Sequence, residues 1–359
     1  MIRDIRQVVD HVIEHSKLRA QYPDSGGHLT GWKTWDENMQ DTMLPGRLVV
    51  LVAASGGGKT AAASQLAAAL AHQVPVLHSS MEDPLKSVGE RYLANVGRLD
   101  VGQIRRGFDG QPIPSQLAET GDQLADLPLH VSDESGTVEE LCQRALDWRR
   151  SNQHEEAVWV VDQLSRIRTS DPKSARSRSA DFEGFDLPTF RPAEHDRLQW
   201  VAAFLRKFAV QHNFLVILVH QVNSTRSTSG EPVQGSVRGS QGIVHESDTV
   251  VSVHRPDMVK NPFRGPGEPW RVKNTKNEAW LCILKGREVQ EVRVPISWNG
   301  PEQRWDDYNA AQTAYAAGPK PTARAVEGRK RLLKMCADFM NPSASSTAEG
   351  SDQPGTVKP

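Results

Sequence analysis

The chain has 359 residues, with 43 Lys+Arg against 44 Asp+Glu, a formal net charge of -1, 38% apolar residues and 24% charged ones. At ~150 residues per domain this length fits two domains or one large one, and the composition excludes disorder throughout and a globally basic coat for nucleic acid, though not a local basic channel. Three cysteines far apart, Cys142, Cys282 and Cys336, exclude a disulfide framework and a zinc knuckle, while the absence of any apolar run near the roughly 20 residues that span a bilayer, or of a signal-peptide core after Met1, leads one to expect a cytoplasmic chain with no membrane partner.

In chain order, Ile5, Val8, Val9, Val12 and Ile13 recur at spacings of three and four, which predicts an amphipathic helix over 1–22. Pro23-Asp24-Ser25-Gly26-Gly27 ends it, and Trp32 and Trp35 are candidate packing anchors of the connection that follows. Short continuous apolar runs then alternate with helical patterns. The runs are Leu48–Val52, Val74–Leu77, Val158–Val161, Phe214–Val219, Val250–Val253 and Trp280–Leu284; the helices are Thr60–His72, Pro84–Val96, Val138–Arg150 and Asp196–His212. Unbroken apolar strands are buried on both faces, the signature of a parallel sheet covered by helices. In 289–298 the pattern changes to strict alternation, so a half-buried antiparallel strand pairs with 279–285 at the C-terminal edge. Residues 165–195 read as a long surface loop. A short basic helix is expected at 323–340, around Arg329-Lys330-Arg331, and a Ser/Pro/Gly-rich disordered tail at 341–359. The expected organisation is an N-terminal helix and linker over 1–44, a compact domain over 45–308, and a basic helix with its tail over 309–359.

Ala53-Ala54-Ser55-Gly56-Gly57-Gly58-Lys59-Thr60 fits the phosphate-loop pattern, between a strand and a helix. Its glycines let backbone N–H groups turn onto phosphate oxygens, and the helix N-terminus adds partial positive charge. Ser55, Gly56, Gly57, Gly58, Lys59 and Thr60 are the expected nucleotide-binding residues, with Lys59 on the β/γ-phosphates and the Thr60 hydroxyl on Mg²⁺. Asp162 closes an apolar strand; beside a phosphate loop such a carboxylate holds the magnesium through water. Glu82, after the second strand, either polarises the attacking water or, with Asp83, caps the helix that starts at Pro84. Gln221, at the tip of another strand, is a γ-phosphate sensor or an ordinary polar strand end. All four lie at carboxyl ends of expected parallel strands, the edge where open α/β sheets bind ligands.

With these residues placed, the chain resembles the C-terminal motor domain of DnaB-like replicative helicases, of the RecA-like class, over about 28–308. The resemblance rests on Leu29-Thr30-Gly31, the phosphate loop, Ser80-Met81-Glu82-Asp83-Pro84, Ile104-Arg105-Arg106-Gly107, Val161-Asp162, His220-Gln221-Val222-Asn223, Val237-Arg238-Gly239-Ser240, Lys285-Gly286-Arg287 and Trp298-Asn299-Gly300, in that order. It implies an α/β fold, a RecA-like P-loop NTPase core with a mostly parallel sheet, flanking helices and an antiparallel C-terminal edge. It further implies ATP with Mg²⁺, a ring of self-associated subunits, expected to be six, and single-stranded DNA threaded through the channel. Glu82 is then the catalytic base, Gln221 the sensor, and Lys285 and Arg287 the pair supplied to ATP by the neighbouring subunit. The segment 223–248 corresponds to the channel loop, with Arg226, Arg238 and Ser240 as DNA-binding candidates; Arg166, Arg168, Lys173, Arg176 and Arg178 form a second basic stretch that faces DNA or solvent.

The sequence also departs from the family. Only about 45 residues precede the core, so the family's N-terminal helical domain is expected to be absent, which weakens the case for docking primase. Val244 stands where the family carries a carboxylate, and Ser224 where it often carries Arg. The expected activity is ATP-dependent unwinding in replication, with a primase or loader as partner; the alternative is a RecA- or KaiC-like DNA-binding ATPase that does not unwind.

Overall fold

The computed structural model of the protein describes residues 4–22, 27–38, 42–169, 182, 185, 194–222, 232–237, 241–256, 278–286, 291–307 and 322–340. The chain forms two compact units, one of 1–27 with 320–359 and one of 28–319. The larger unit is built on β1 (Leu48–Ala53), β2 (Val76–Ser80), β3 (Leu129–Ser132), β4 (Ala157–Asp162), β5 (Phe214–Gln221), β6 (Thr249–His254), β7 (Glu278–Gly286), β8 (Val292–Asn299) and β9 (Arg304–Asp307). These form one sheet in the order β3-β2-β4-β5-β1-β6-β7-β8-β9. The first six in that order are parallel and the last three antiparallel. The fold is therefore the mostly parallel α/β sheet with an antiparallel edge that the apolar runs imply.

Alternation within each strand divides the core in two. Leu48, Val50, Val52, Trp159, Val161, Val216 and Leu218 face one side, with Leu141 and Leu146 of helix Val138–Ser151 and Val201, Leu205 and Phe208 of helix Glu194–His212. Val49, Leu51, Val158, Val160, Leu215 and Ile217 face the other, with the alanines and Leu66 and Leu70 of helix Lys59–Ala71. Small side chains there let that helix lie close on the sheet, directly behind the phosphate loop. Trp32 and Trp35 are buried in the same layer. Thr137 starts helix Val138–Ser151 with a capping box, its hydroxyl accepting from the Glu140 N–H while Glu140 accepts from the Thr137 N–H.

Several expectations need correction. β2 begins at Val76 rather than Val74, because the Val74 N–H still closes the preceding helix on the Leu70 carbonyl at 3.0 Å. β3 and β9 are strands that no apolar run announces: both are four residues long, and neither is apolar throughout. The stretch 165–195 is not wholly a surface loop, since Phe182 and Phe185 are buried against Phe204. The stretch 223–248 contains helix Gln241–Glu246. The tail at 341–359 lies outside the described residues.

The smaller unit pairs helix Ile5–Gln21 with helix Ala323–Met340. The His11 ring stacks on Phe339 with centroids 4.0 Å apart, and Arg324 donates to the Gln21 carbonyl. The first helix keeps Ile5, Val9, Val12 and Ile13 exposed.

Candidate active site

Parallel register places the carboxyl ends of β1, β2, β4 and β5 side by side: Ala53 pairs with Gln221, Ser80 with Asp162, and Asp162 with Val219. The phosphate loop, Glu82, Asp162 and Gln221 therefore occupy one edge of the sheet. In the loop, the Gly57 N–H donates to the Ala54 carbonyl at 2.9 Å. Gly58 caps helix Lys59–Ala71 at φ +89, a left-handed conformation that a side chain disfavours. A Cβ there would also lie 2.8 Å from the Trp305 ring, whose Nε1 donates to the Gly58 carbonyl at 3.2 Å. The β8–β9 edge thus props the loop from behind.

Lys59 Nζ sits 3.7 Å from Glu82 Oε2. The same oxygen accepts from Gln163 Nε2 at 2.5 Å, and Arg166 lies 3.6 Å from Oε1. Glu82 does not cap the following helix. Its neighbour Asp83 does not cap it either; it pairs with Arg91 at 2.9 Å, and the cap residue is Pro84, with no side-chain bond.

Asp162 is 1% exposed, and neither carboxylate oxygen has a hydrogen bond of normal geometry. Burial pushes its pKa up to about 6, against the opposing pull of the Thr60 hydroxyl and the Lys59 ammonium. A buried carboxylate without a full partner, next to a threonine hydroxyl at the head of a phosphate loop, fits a hard divalent cation with oxygen ligands. The charge has a cost that depends on pH. The folded-state pKa is raised, so the cost is absent below the ordinary value of 3.8 and complete above about 6. Asp162→Asn is expected to gain about 3 kcal/mol relative to the wild type as pH rises through that window. Denaturant midpoints of the nucleotide-free proteins across pH test this; a difference that stays flat overturns it.

An open cavity of about 400 Å³ lies over the loop. Besides Gly56, Gly58, Lys59 and Thr60, its walls include Arg91, Arg255, Trp298, Gly300 and Gln303. The Arg255 guanidinium sits 5.1 Å from the Trp298 ring centre. None of these five was singled out from the sequence as a site residue; Trp298 and Gly300 entered only as part of the resemblance.

A sequence model of the DnaB-like helicase C-terminal domain matches residues 27–307. The chain belongs to this family. Replicative DNA helicase DnaB of Pasteurella multocida (strain Pm70) is 27% identical over 316 residues, 85% of this chain and 61% of that protein. The DnaB helicase of Buchnera aphidicola subsp. Schizaphis graminum (strain Sg) is 24% identical over 317 residues, with the same coverage. This chain thus spans about three fifths of these relatives. Among solved structures, an isolated ATPase domain aligns with a TM-score of 0.70 at 16% identity, covering 86% of this chain and all of that one. A DnaB-like replicative helicase described with its interactions with primase aligns at 0.65 and 16% identity, covering 79% of this chain and 64% of that one.

Within this DnaB-like core, Lys285 has an occupation that the sequence does not reveal. Its ammonium donates to the carbonyls of Val244, Ser247 and His245 at 2.5, 2.7 and 3.1 Å. It ties β7 to the end of helix Gln241–Glu246, where unpaired carbonyls favour a cation. Lys285→Ala is expected to lose about 2 kcal/mol of stability, read from denaturant unfolding; an unchanged midpoint would show the contacts to be idle. Val244, the position without the family's carboxylate, is buried. Gln221 leads directly to Val222, which bridges Val237. Arg287, Arg226, Arg238 and Ser240 lie outside the described residues, as do Lys173, Arg176 and Arg178; Arg166 and Arg168 are exposed. Among the described residues no helix is long and apolar enough to cross a membrane.

Proposed function

We propose that this chain is the ATP-hydrolysing motor of a ring-shaped DnaB-like helicase that moves on single-stranded DNA and separates duplex in replication. The observation that carries the reading is the meeting of the phosphate loop, Glu82, Asp162 and Gln221 on one sheet edge. ATP phosphates lie on the backbone N–H groups of Ser55–Gly58, with Lys59 on the β/γ-phosphates. Thr60 and Asp162 would hold Mg²⁺, which would neutralise phosphate charge when bound. Glu82 takes a proton from the water that attacks the γ-phosphorus. Lys59, and Arg287 from the neighbouring subunit, stabilise the charge that develops on the transferring group. Arg255 and Trp298 form part of the cavity wall over the loop.

The link to DNA runs through Gln221. Its neighbour Val222 bridges Val237, and Arg238 and Ser240 follow Val237. A shift of Gln221 on loss of the γ-phosphate therefore reaches the channel loop within two residues, and Arg226 extends the same loop. Ring assembly as a hexamer brings Arg287 to the next protomer's ATP, and the exposed stripe of Ile5, Val9, Val12 and Ile13 supports self-association. A primase or a helicase loader is the protein partner that fits this role.

Strand displacement on a forked duplex, measured together with DNA-stimulated ATP turnover, tests the reading. Both activities are expected. Stimulated turnover without displacement would favour the RecA- or KaiC-like alternative, and nucleotide binding without turnover would remove both.

A further inference from the structure

Besides Lys59 at 3.7 Å, the Glu82 carboxylate meets two residues of a single turn. Gln163 Nε2 donates to one oxygen at 2.5 Å, and Arg166 sits 3.6 Å from the other. The turn is firmly seated: the Arg166 N–H donates to the Gln163 carbonyl at 3.0 Å, Leu164 and Ile167 are buried, and Arg197 donates to the carbonyls of Ser165 and Ile167. The two contacts differ in kind. Gln163 is 5% exposed and its Oε1 has no partner among the described residues, so the hydrogen bond that orients its amide is the one to Glu82. The Arg166 side chain is 56% exposed, at the start of the basic stretch that continues through Arg168. A buried neutral anchor and a solvent-facing cation thus share one carboxylate.

We propose that Gln163 is the positioning residue for Glu82, and that Arg166 links Glu82 to the phosphates of a DNA strand lying outside the ATP cavity. This rests on the reading of Glu82 as the base. In the strand-free state Arg166 draws the carboxylate toward the turn. A phosphodiester backbone offers the guanidinium a competing anion and a planar, two-pronged fit. When ATP phosphates take Lys59, which otherwise lies 3.7 Å from Glu82 Oε2, and Arg166 swings to the strand, Glu82 is left with the Gln163 bond and turns to the attacking water. Strand occupancy is thereby reported to the group that activates water. No bond is made or broken in the switch; an ion pair is exchanged.

Arg166→Gln in the full chain tests the link, with ATP turnover measured without DNA and with saturating oligothymidylate. Strand-free turnover is expected to rise about two- to fivefold, the range an exposed ion pair commands. Stimulation by the strand should fall by the same factor, with the KM for ATP unchanged. A residue that merely touches DNA would weaken strand binding and leave strand-free turnover alone; that result overturns the link. Gln163→Ala is expected to lower kcat about ten- to hundredfold at unchanged KM, and full kcat would overturn the positioning role. The two levels of failure separate cleanly. If Glu82→Ala turns over normally, the base assignment is at fault and the link falls with it. If Glu82→Ala is dead while Arg166→Gln behaves as wild type, the link alone is wrong.

Discussion

Arg287→Ala will lower ATP turnover by about 10³–10⁵-fold and leave nucleotide binding to the isolated subunit intact. An arginine aimed at the transferring phosphoryl acts only as charge develops, so it contributes to kcat and little to ground-state affinity. The described part of the site contains Lys59, Arg91 and Arg255 on the cavity walls and Arg166 beside Glu82. Arg91 pairs with Asp83 and Arg255 lies over Trp298; on the proposed reading, Arg287 of another protomer completes the far side of the γ-phosphate. Mixing Arg287→Ala with Lys59→Ala therefore restores partial turnover, because some interfaces combine an intact phosphate loop with an intact finger. Failure of the mixture to recover, with co-assembly verified, would remove the between-subunit role. Lys285→Ala provides the contrast: its ammonium already serves three carbonyls within its own chain, so its loss registers in stability.

Glu82→Ala will abolish turnover, by about 10²–10⁴-fold, while ATP still binds. The carboxylate is one third exposed, 34%, so water reaches it, and it lies 3.7 Å from Lys59, the lysine proposed to contact the phosphates. That proximity gives the prediction a second, signed part. In the nucleotide-free site Glu82 competes with phosphate for Lys59. Removing it frees the ammonium, so ATP affinity should rise by up to about fivefold, the value of a partly exposed ion pair. Lys59→Ala does the opposite and weakens binding and turnover together. Binding of a non-hydrolysable analogue and single-turnover kinetics separate these effects. A Glu82→Ala protein that hydrolyses at the wild-type rate would move the base elsewhere, and Gln163 and Arg166 would lose the role assigned to them.

What the amino-acid order settled by itself was local and periodic. Leu48–Val52, Val158–Val161 and Phe214–Val219 read as strands because every residue in them is apolar, which only a sheet covered on both faces accommodates. Gly56–Thr60 announced a phosphate site because a strand, a glycine turn and a helix start must be contiguous to make one. The basic helix expected around Arg329-Lys330-Arg331 is helix Ala323–Met340. Contacts between distant segments were not legible. Trp305 meets the phosphate loop across 247 positions of sequence, and Arg255, Trp298 and Gln303 reach the cavity only because β6 to β9 fold back beside β1. Phe182 and Phe185 sit in a polar stretch whose composition hides two core residues. Lys285 reads in sequence as one more charge at a turn, and only packing showed which carbonyls it serves. Backbone period and glycine placement act over a few residues and leave a trace in the sequence; partners chosen by the closing of a sheet depend on strand order, which no local pattern encodes.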